Sequence, residues 1–174
     1  AAYVSGSFPQ DCGFLTIQKG IDVGASIDIA TFNLTVQVRS GTYTGAVALK
    51  NIIGSGTLTL TGDTVTPANV IISTTSVDAI TMDGVRRWAI TGFKIQTTTS
   101  GNAILATNGS TFTFNTLDFG ASAASHFNIK NGSQGVATGN YTISGGAVYH
   151  WDISFASIDT QARTVTLTGT PAFS

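Results

Sequence analysis

Asp78, Asn102, His126 and His150 follow one another at steps of 24 residues, and the two histidines are the only ones in the chain. Imidazole changes charge nearest neutral pH and is the commonest protein ligand for metals, so two histidines beside a carboxylate suit acid–base work or zinc. If each step is one turn of a stacked coil, neighbouring copies lie about 4.8 Å apart. His126 and His150 then come close enough to share a metal or a sugar hydroxyl. Each member of the series just precedes an apolar residue, which predicts an outward or corner position, with Asn128, Lys130 and Asp152 on the same outward face. The plainer expectation is a wet ladder of polar side chains beside Phe127 and Trp151 that touches carbohydrate or a partner, with no metal, no other cofactor and no catalytic residue.

Arg86-Arg87-Trp88 is a second candidate, because a guanidinium beside an aromatic plane holds an acidic sugar by charge and stacking. Phe112 and Val136 follow Trp88 at 24 and 48 residues, which points Trp88 into a core and leaves Arg86 as the contact. Tyr149-His150-Trp151 divides in the same way: the columns described next send Trp151 inward and leave Tyr149 and His150 to face a ligand. Asn-x-Ser/Thr triplets begin at Asn33, Asn108, Asn131 and Asn140, and in so Asn- and Thr-rich a chain they read as turn residues.

Positioning such residues requires elements that repeat. Val47, Ile71, Ile95, Phe119, Ile143 and Leu167 are each 24 positions apart; Ala79, Ala103, Phe127 and Trp151 keep the same step, as do Leu105, Ile129 and Ile153. Self-similarity at a fixed period of this size marks units too small to bury their own apolar face, which must stack on the next. Phe93, Leu117, Tyr141 and Val165 run two residues before the first column, so each pair points one way, as in a strand. Residues 111–114 and 164–168 alternate apolar and hydroxyl side chains, the pattern of a strand with one wet face. Asp83-Gly84, Asn108-Gly109 and Asn131-Gly132 supply a tight corner once per coil, where positive φ is needed. The expected fold is an all-β parallel β-helix of about five coils.

Residues 1–35 read differently, as an N-terminal segment with a capping helix, ahead of one continuous β-helix domain over 36–174. Phe14, Ile17, Gly20, Ile21, Gly24 and Ala25 follow a helical interval with Thr16 or an earlier polar residue as a cap. A helix there covers the first coil, whose open edge would otherwise recruit another chain. Thr35-Val36-Gln37-Val38 starts the strands. The far end has Pro171 as a breaker but no helix, so a partner subunit or further sequence is expected to cover it. The chain starts with Ala rather than Met, as a processed product or an excised fragment would.

Only 10% of the residues are charged, all nine acids are Asp, and the formal charge is -1. Attraction to nucleic acid phosphates or anionic lipids is not expected. Cys12 has no second cysteine to pair with and reads as a buried thiol. No apolar run approaches the roughly 20 residues that span a bilayer, and the opening lacks the pattern of a signal peptide, so membrane insertion is not expected.

Residues 14–22, Phe-Leu-Thr-Ile-Gln-Lys-Gly-Ile-Asp, followed by residues 36–45, Val-Gln-Val-Arg-Ser-Gly-Thr-Tyr-Thr-Gly, resemble the opening of pectate-lyase-like right-handed parallel β-helix proteins. Residues 89–95 resemble a generic coil of the same superfamily. The low charge, the Thr-rich strands and the ending over 165–173 look most like β-helical tail fibres and tailspikes of tailed phages and prophages. The resemblance implies a right-handed single-stranded β-helix, assembly as a homotrimer, a place on the virion or otherwise an extracellular surface, and contact with cell-surface polysaccharide or another virion protein. The enzymatic members match less well. Leu117-Asp118-Phe119-Gly120 only echoes the acidic strand of pectin esterases, and the paired Asp motifs of polygalacturonase-like hydrolases are absent.

Two function classes follow. One is a non-enzymatic structural or receptor-binding module of a tail fibre or spike; the other is a polysaccharide depolymerase, a lyase or glycoside hydrolase of the same superfamily. About five coils leave a groove only some 20–25 Å long. That shortness, the missing Glu and the unmatched catalytic motifs favour the first, although a trimer could assemble a site between subunits from Lys130, His150, Asp152 or Arg163. A bacterial surface adhesin is a third expectation.

Overall fold

The computed structural model describes residues 13–169 and 171–173, so the expectation for Cys12 lies outside the described residues. After one helix, α1 (Ile17–Ser26), the chain passes repeatedly through three parallel sheets, with strands numbered in chain order. The first sheet holds β1 (Leu34–Gln37), β4 (Leu58–Thr61), β7 (Trp88–Thr91), β10 (Thr111–Asn115), β13 (Gln134–Ala137) and β16 (Ser157–Asp159). The second holds β2 (Gly41–Tyr43), β5 (Val70–Thr74), β8 (Lys94–Thr97), β11 (Asp118–Phe119), β14 (Tyr141–Ile143) and β17 (Val165–Leu167). The third holds β3 (Val47–Ala48), β6 (Ile80–Asp83), β9 (Ile104–Thr107), β12 (Ser125–Lys130) and β15 (Tyr149–Ser154). This is the all-β parallel solenoid of about 24-residue coils that the repeat predicts. With six strands in two of its sheets it has about six coils rather than five.

Ile95, Phe119, Ile143 and Leu167 pair in successive register, and the first three are buried. Phe93, Leu117 and Tyr141, two residues earlier, are buried as well. In β10 Phe112 and Phe114 face the core while Thr111 and Thr113 stay half-buried outside, the division of labour that suits a pleated surface.

Several columns differ from the sequence reading. Ile72, not Ile71, pairs with Ile95, and Ile71 lies opposite Lys94 on the outer face. Tyr43 sits below Ile72, while Val47 belongs to the third sheet opposite Ile80. Phe127 and Ile129 pair with Ile104 and Ala106, so Ala103 and Leu105 leave those columns. Gly135, not Val136, lies over Phe112; a Cβ there would stand 2.8 Å from Phe112 Cζ, so the ring occupies the missing side chain's space. The cause is corner length. The chain takes nine steps from Ile95 to Ile104 but eight from Phe119 to Phe127 and from Ile143 to Trp151, and in a pleat of period two a one-residue change exchanges inside for outside.

Thr16 caps α1 as expected, accepting from Lys19 N at 3.2 Å. Ile17, Gly20, Ile21, Gly24 and Ala25 are buried on the first coil, whereas Phe14 precedes the helix and is exposed. A Cβ on Gly20 or Gly24 would come within 2.9 or 3.2 Å of Val36, so two glycines let the helix lie directly on β1. The Gln18 amide accepts from Ala48 N at 2.7 Å and donates to Ala48 O at 3.0 Å, closing backbone groups on the free edge of β3.

Phe119 is fully buried between Ile95 and Ile143. Phe119→Ala should therefore lower the unfolding free energy by about 3–5 kcal/mol in a denaturant titration. A loss under about 1 kcal/mol, the ordinary effect of a point substitution, would contradict the stacked column.

Candidate functional site

The 24-residue polar series splits in two. Asp78 and Asn102 stay on the outside of the corner before the third sheet, where Asn102 N and Nδ2 each donate to Asp78 Oδ1 at 2.7 Å. Ser125 stands next, its N donating to Asn102 Oδ1 at 3.1 Å, and Tyr149 pairs with Ser125. His126 instead takes the inner place that Ala79 and Ala103 hold in the coils below, and all three are fully buried. Ala103 N bonds Ser125 O just as Ala79 N bonds Asn102 O. The outward position expected for His126 and His150, and the wet ladder beside Phe127, are thereby corrected: the shorter corner draws the histidines inside.

Hydrogen-bond chemistry fixes their protons. His126 Nε2 lies 2.9 Å from Gly120 O, which can only accept, so Nε2 carries the proton. Nδ1 of the neutral ring then accepts, and it faces His150 Nδ1 at 2.9 Å, which must donate. His150 Nε2 in turn accepts from Tyr141 Oη at 3.0 Å. The relay runs Tyr141 to His150 to His126 to Gly120 and uses all four ring nitrogens. Phe119 packs against both imidazoles at 5.3 and 5.6 Å between centroids, His150 stacks on Tyr141 at 5.7 Å, and Phe173 meets His126 edge-on at 5.9 Å.

Burial lowers the His126 pKa, against the opposing pull of the Gly120 carbonyl and the Asp118 charge. Burial, and secondarily His126, lowers His150 to about 3, and burial raises Tyr141 to about 12. All three groups are neutral near pH 7. The acceptor nitrogens, His126 Nδ1 and His150 Nε2, both already hold hydrogen bonds, so neither ring offers a free lone pair to a metal. The cluster is a saturated polar core.

The remaining candidates are dispersed. Asn128, Lys130 and Asp152 do share the outer face of the third sheet, where Asn128 pairs with Asp152 and Lys130 with Ser154. Asn128 is itself buried, with its Nδ2 3.5 Å from Asn102 Oδ1. Tyr149 is exposed as expected, but Trp151, seated over Phe127 and expected inside, remains 45% exposed because no further coil covers it. Trp88 is buried as expected and donates to Lys50 O at 2.8 Å, Arg87 donates to Gly54 O, and Arg86 lies exposed. Asn33, Asn108, Asn131 and Asn140 sit between strands and bond the next or the preceding coil through their amides.

Sequence reading missed the polar role of Tyr141, which its column marks only as core. It also missed Lys94, whose Nζ lies 3.4 Å from Asp118 Oδ2 and donates to Ser144 Oγ at 3.1 Å across the second sheet. The signal was present, since Lys94 and Asp118 are themselves 24 residues apart.

The buried relay predicts acid sensitivity. Unfolded, both histidines titrate near pH 6.5, at about 1.4 kcal/mol per pH unit for each; folded, burial holds both below that value, His150 at about 3. Between these limits the unfolded chain binds more protons, so the stabilisation is full above about pH 6.5 and is lost as pH falls. Denaturant titrations at about pH 7.5, 5.5 and 4.5 should show this decline, and a flat stability over that range would contradict the neutral pair.

Comparison with protein-family models, with curated proteins and with solved structures gave no match.

Proposed function

We propose that this chain is a non-enzymatic structural and receptor-binding module of a phage tail fibre or spike, carried on the virion as a homotrimer. Its β-solenoid presents a rigid, hydroxyl-rich surface to cell-surface carbohydrate or a neighbouring virion protein. The open last coil carries this reading. β15, β16 and β17 each pair on one side only. Among the described residues, seven of the fourteen exposed large hydrophobic ones lie between Val148 and Phe173, including Trp151, Ile153 and Leu167, whose counterparts one coil below are buried. Free strand edges beside apolar knobs are the surface that accepts an added β-segment. What fits this edge is therefore another β-coil, of a partner or of further sequence, continuing the register of the stack.

Phe155 adds to this. It occupies the corner slot that Asn131 fills one coil earlier, keeps a φ of 52°, and is 91% exposed. Left-handed backbone costs roughly 1–2 kcal/mol for most residues and little for Asn. Phe155 therefore reads as a contact residue tolerated at a local cost. The saturated histidine relay and the Lys94-bound Asp118 favour binding over the depolymerase alternative.

Phe155→Asn should raise the stability of the isolated chain by about 1 kcal/mol in a denaturant titration; a decrease would show that the ring packs where the account leaves it free. Light scattering at micromolar concentration should give a trimer, and a monomer would overturn that assembly. Incubation with host capsule or lipopolysaccharide should release no reducing ends or unsaturated products, and specific cleavage would overturn the non-enzymatic reading.

A further inference from the structure

The connection from β4 to β5, residues 62–69, has eight residues where the equivalent corner after β7 or β10 has two and that after β1 or β13 has three. Insertions in a solenoid leave the stack as loops on one face, often the binding face. This loop is held stiffly. Asp63 Oδ1 accepts from Val65 N and Thr66 N, both at 2.9 Å, Oδ2 accepts from Asn69 Nδ2 at 2.7 Å, and Pro67–Asn69 form a 3-10 turn. Gly62 and Gly92 bring the loop's backbone against the next coil: a Cβ on Gly62 would fall 2.2 Å from Gly92 O. On its other side the loop faces the corner after β1 across a cleft of about 650 Å³ lined by Gln37, Arg39, Ser40, Asp63 and Thr64 among others.

The polar groups of this cleft are unequally committed. Arg39 makes no side-chain hydrogen bond or ion pair among the described residues, whereas Asp63 and Gln37 are held by their own loop and corner. The Asp63 carboxylate uses three of its roughly four acceptor sites within the loop and stays ionised, its pKa lowered by those bonds. The Gln37 amide donates to Val38 O, Thr61 O and Gly62 O, which orients it and leaves its carbonyl free to accept. Guanidinium donors, carboxylate and amide acceptors and the Ser40 and Thr64 hydroxyls thus share one concave surface. A carboxylate ligand would meet Asp63, and an apolar one would leave all these groups unpaired. Adjacent hydroxyls on a sugar ring satisfy both halves, donating to Asp63 and Gln37 while accepting from Arg39.

We propose that the cleft between residues 38–40 and 62–69 is a binding site for a neutral saccharide with adjacent free hydroxyls, with Arg39 and Asp63 as its principal contacts. The proposal rests on the carbohydrate-contact part of the function above and places that contact away from the histidines. The test is an amide NMR titration of the full chain with maltotriose, mannotriose and, as the acidic arm, an alginate trisaccharide. A neutral trisaccharide should shift the amides of Arg39, Ser40 and Thr64, and Arg39→Ala, which removes an exposed side chain, should weaken it at least tenfold. Asp63→Asn, which keeps Oδ1 as acceptor for Val65 N and Thr66 N and loses only the acceptor for Asn69 Nδ2, should weaken it as well. Binding of a neutral sugar that survives both substitutions would overturn this cleft while leaving the carbohydrate role standing elsewhere. Preference for alginate would overturn the neutral ligand, and no binding of any probe by the unsubstituted chain would overturn both the cleft and the carbohydrate contact.

Discussion

Each coil of this protein is held by the coil beneath it, through parallel backbone bonds at every strand and through inward side chains that rest on their counterparts. No single coil has a core of its own; Phe119 is buried because Ile95, Ile143 and Phe127 surround it. The stack therefore tolerates almost any outer surface but requires both of its ends to be closed. At the N-terminal end α1 does this, its glycines pressed on Val36 and its Gln18 bonded to the β3 edge. In the last described coil β15, β16 and β17 pair on one side only, and Trp151, Ile153 and Leu167 stand open where their equivalents are covered. Architecture and proposed role meet at that asymmetry.

The same dependence makes the register sensitive to single residues. A corner shortened by one residue shifts the pairing of the next strand by one place, so that a residue meets the neighbour of its 24-residue counterpart. Between Phe119 and Phe127 this change sends His126 into the column of Ala79 and Ala103. A histidine in that position must satisfy its ring nitrogens within the protein, because an unpaired buried polar group is costly. Gly120 O, His150 and Tyr141 provide the partners, and the aromatic walls keep the group neutral.

The coil length, the parallel sheets, the capping helix and the column of Ile95, Phe119 and Ile143 were legible in the sequence because a constant step survives in the chain wherever corners are equal. The slips were not legible, because neighbouring positions are both apolar at the places where they occur: Ile71 and Ile72, Ala103 and Ile104, Leu105 and Ala106. Hydrophobicity alone does not say which of two such residues faces in. The polar candidates inherited this ambiguity. Asn102, Lys130, Asp152, Tyr149 and Arg86 reach at least partly to the surface, while His126, displaced by one residue, became core and His150 above it is half-buried. Arg39 and Asp63 do stand 24 residues apart, in the register of β1 and β4, but the inserted loop that follows Asp63 is a departure from the repeat and was not legible from it.

The displaced register is tested most directly by nitrogen NMR of the two imidazoles. The account predicts a proton fixed on His126 Nε2 and on His150 Nδ1, slow exchange with solvent, and a coupling across the hydrogen bond between the two Nδ1 atoms. Two independent rings titrating near their free value, with no such coupling, would place both histidines in water and contradict the stacking proposed for the last coils.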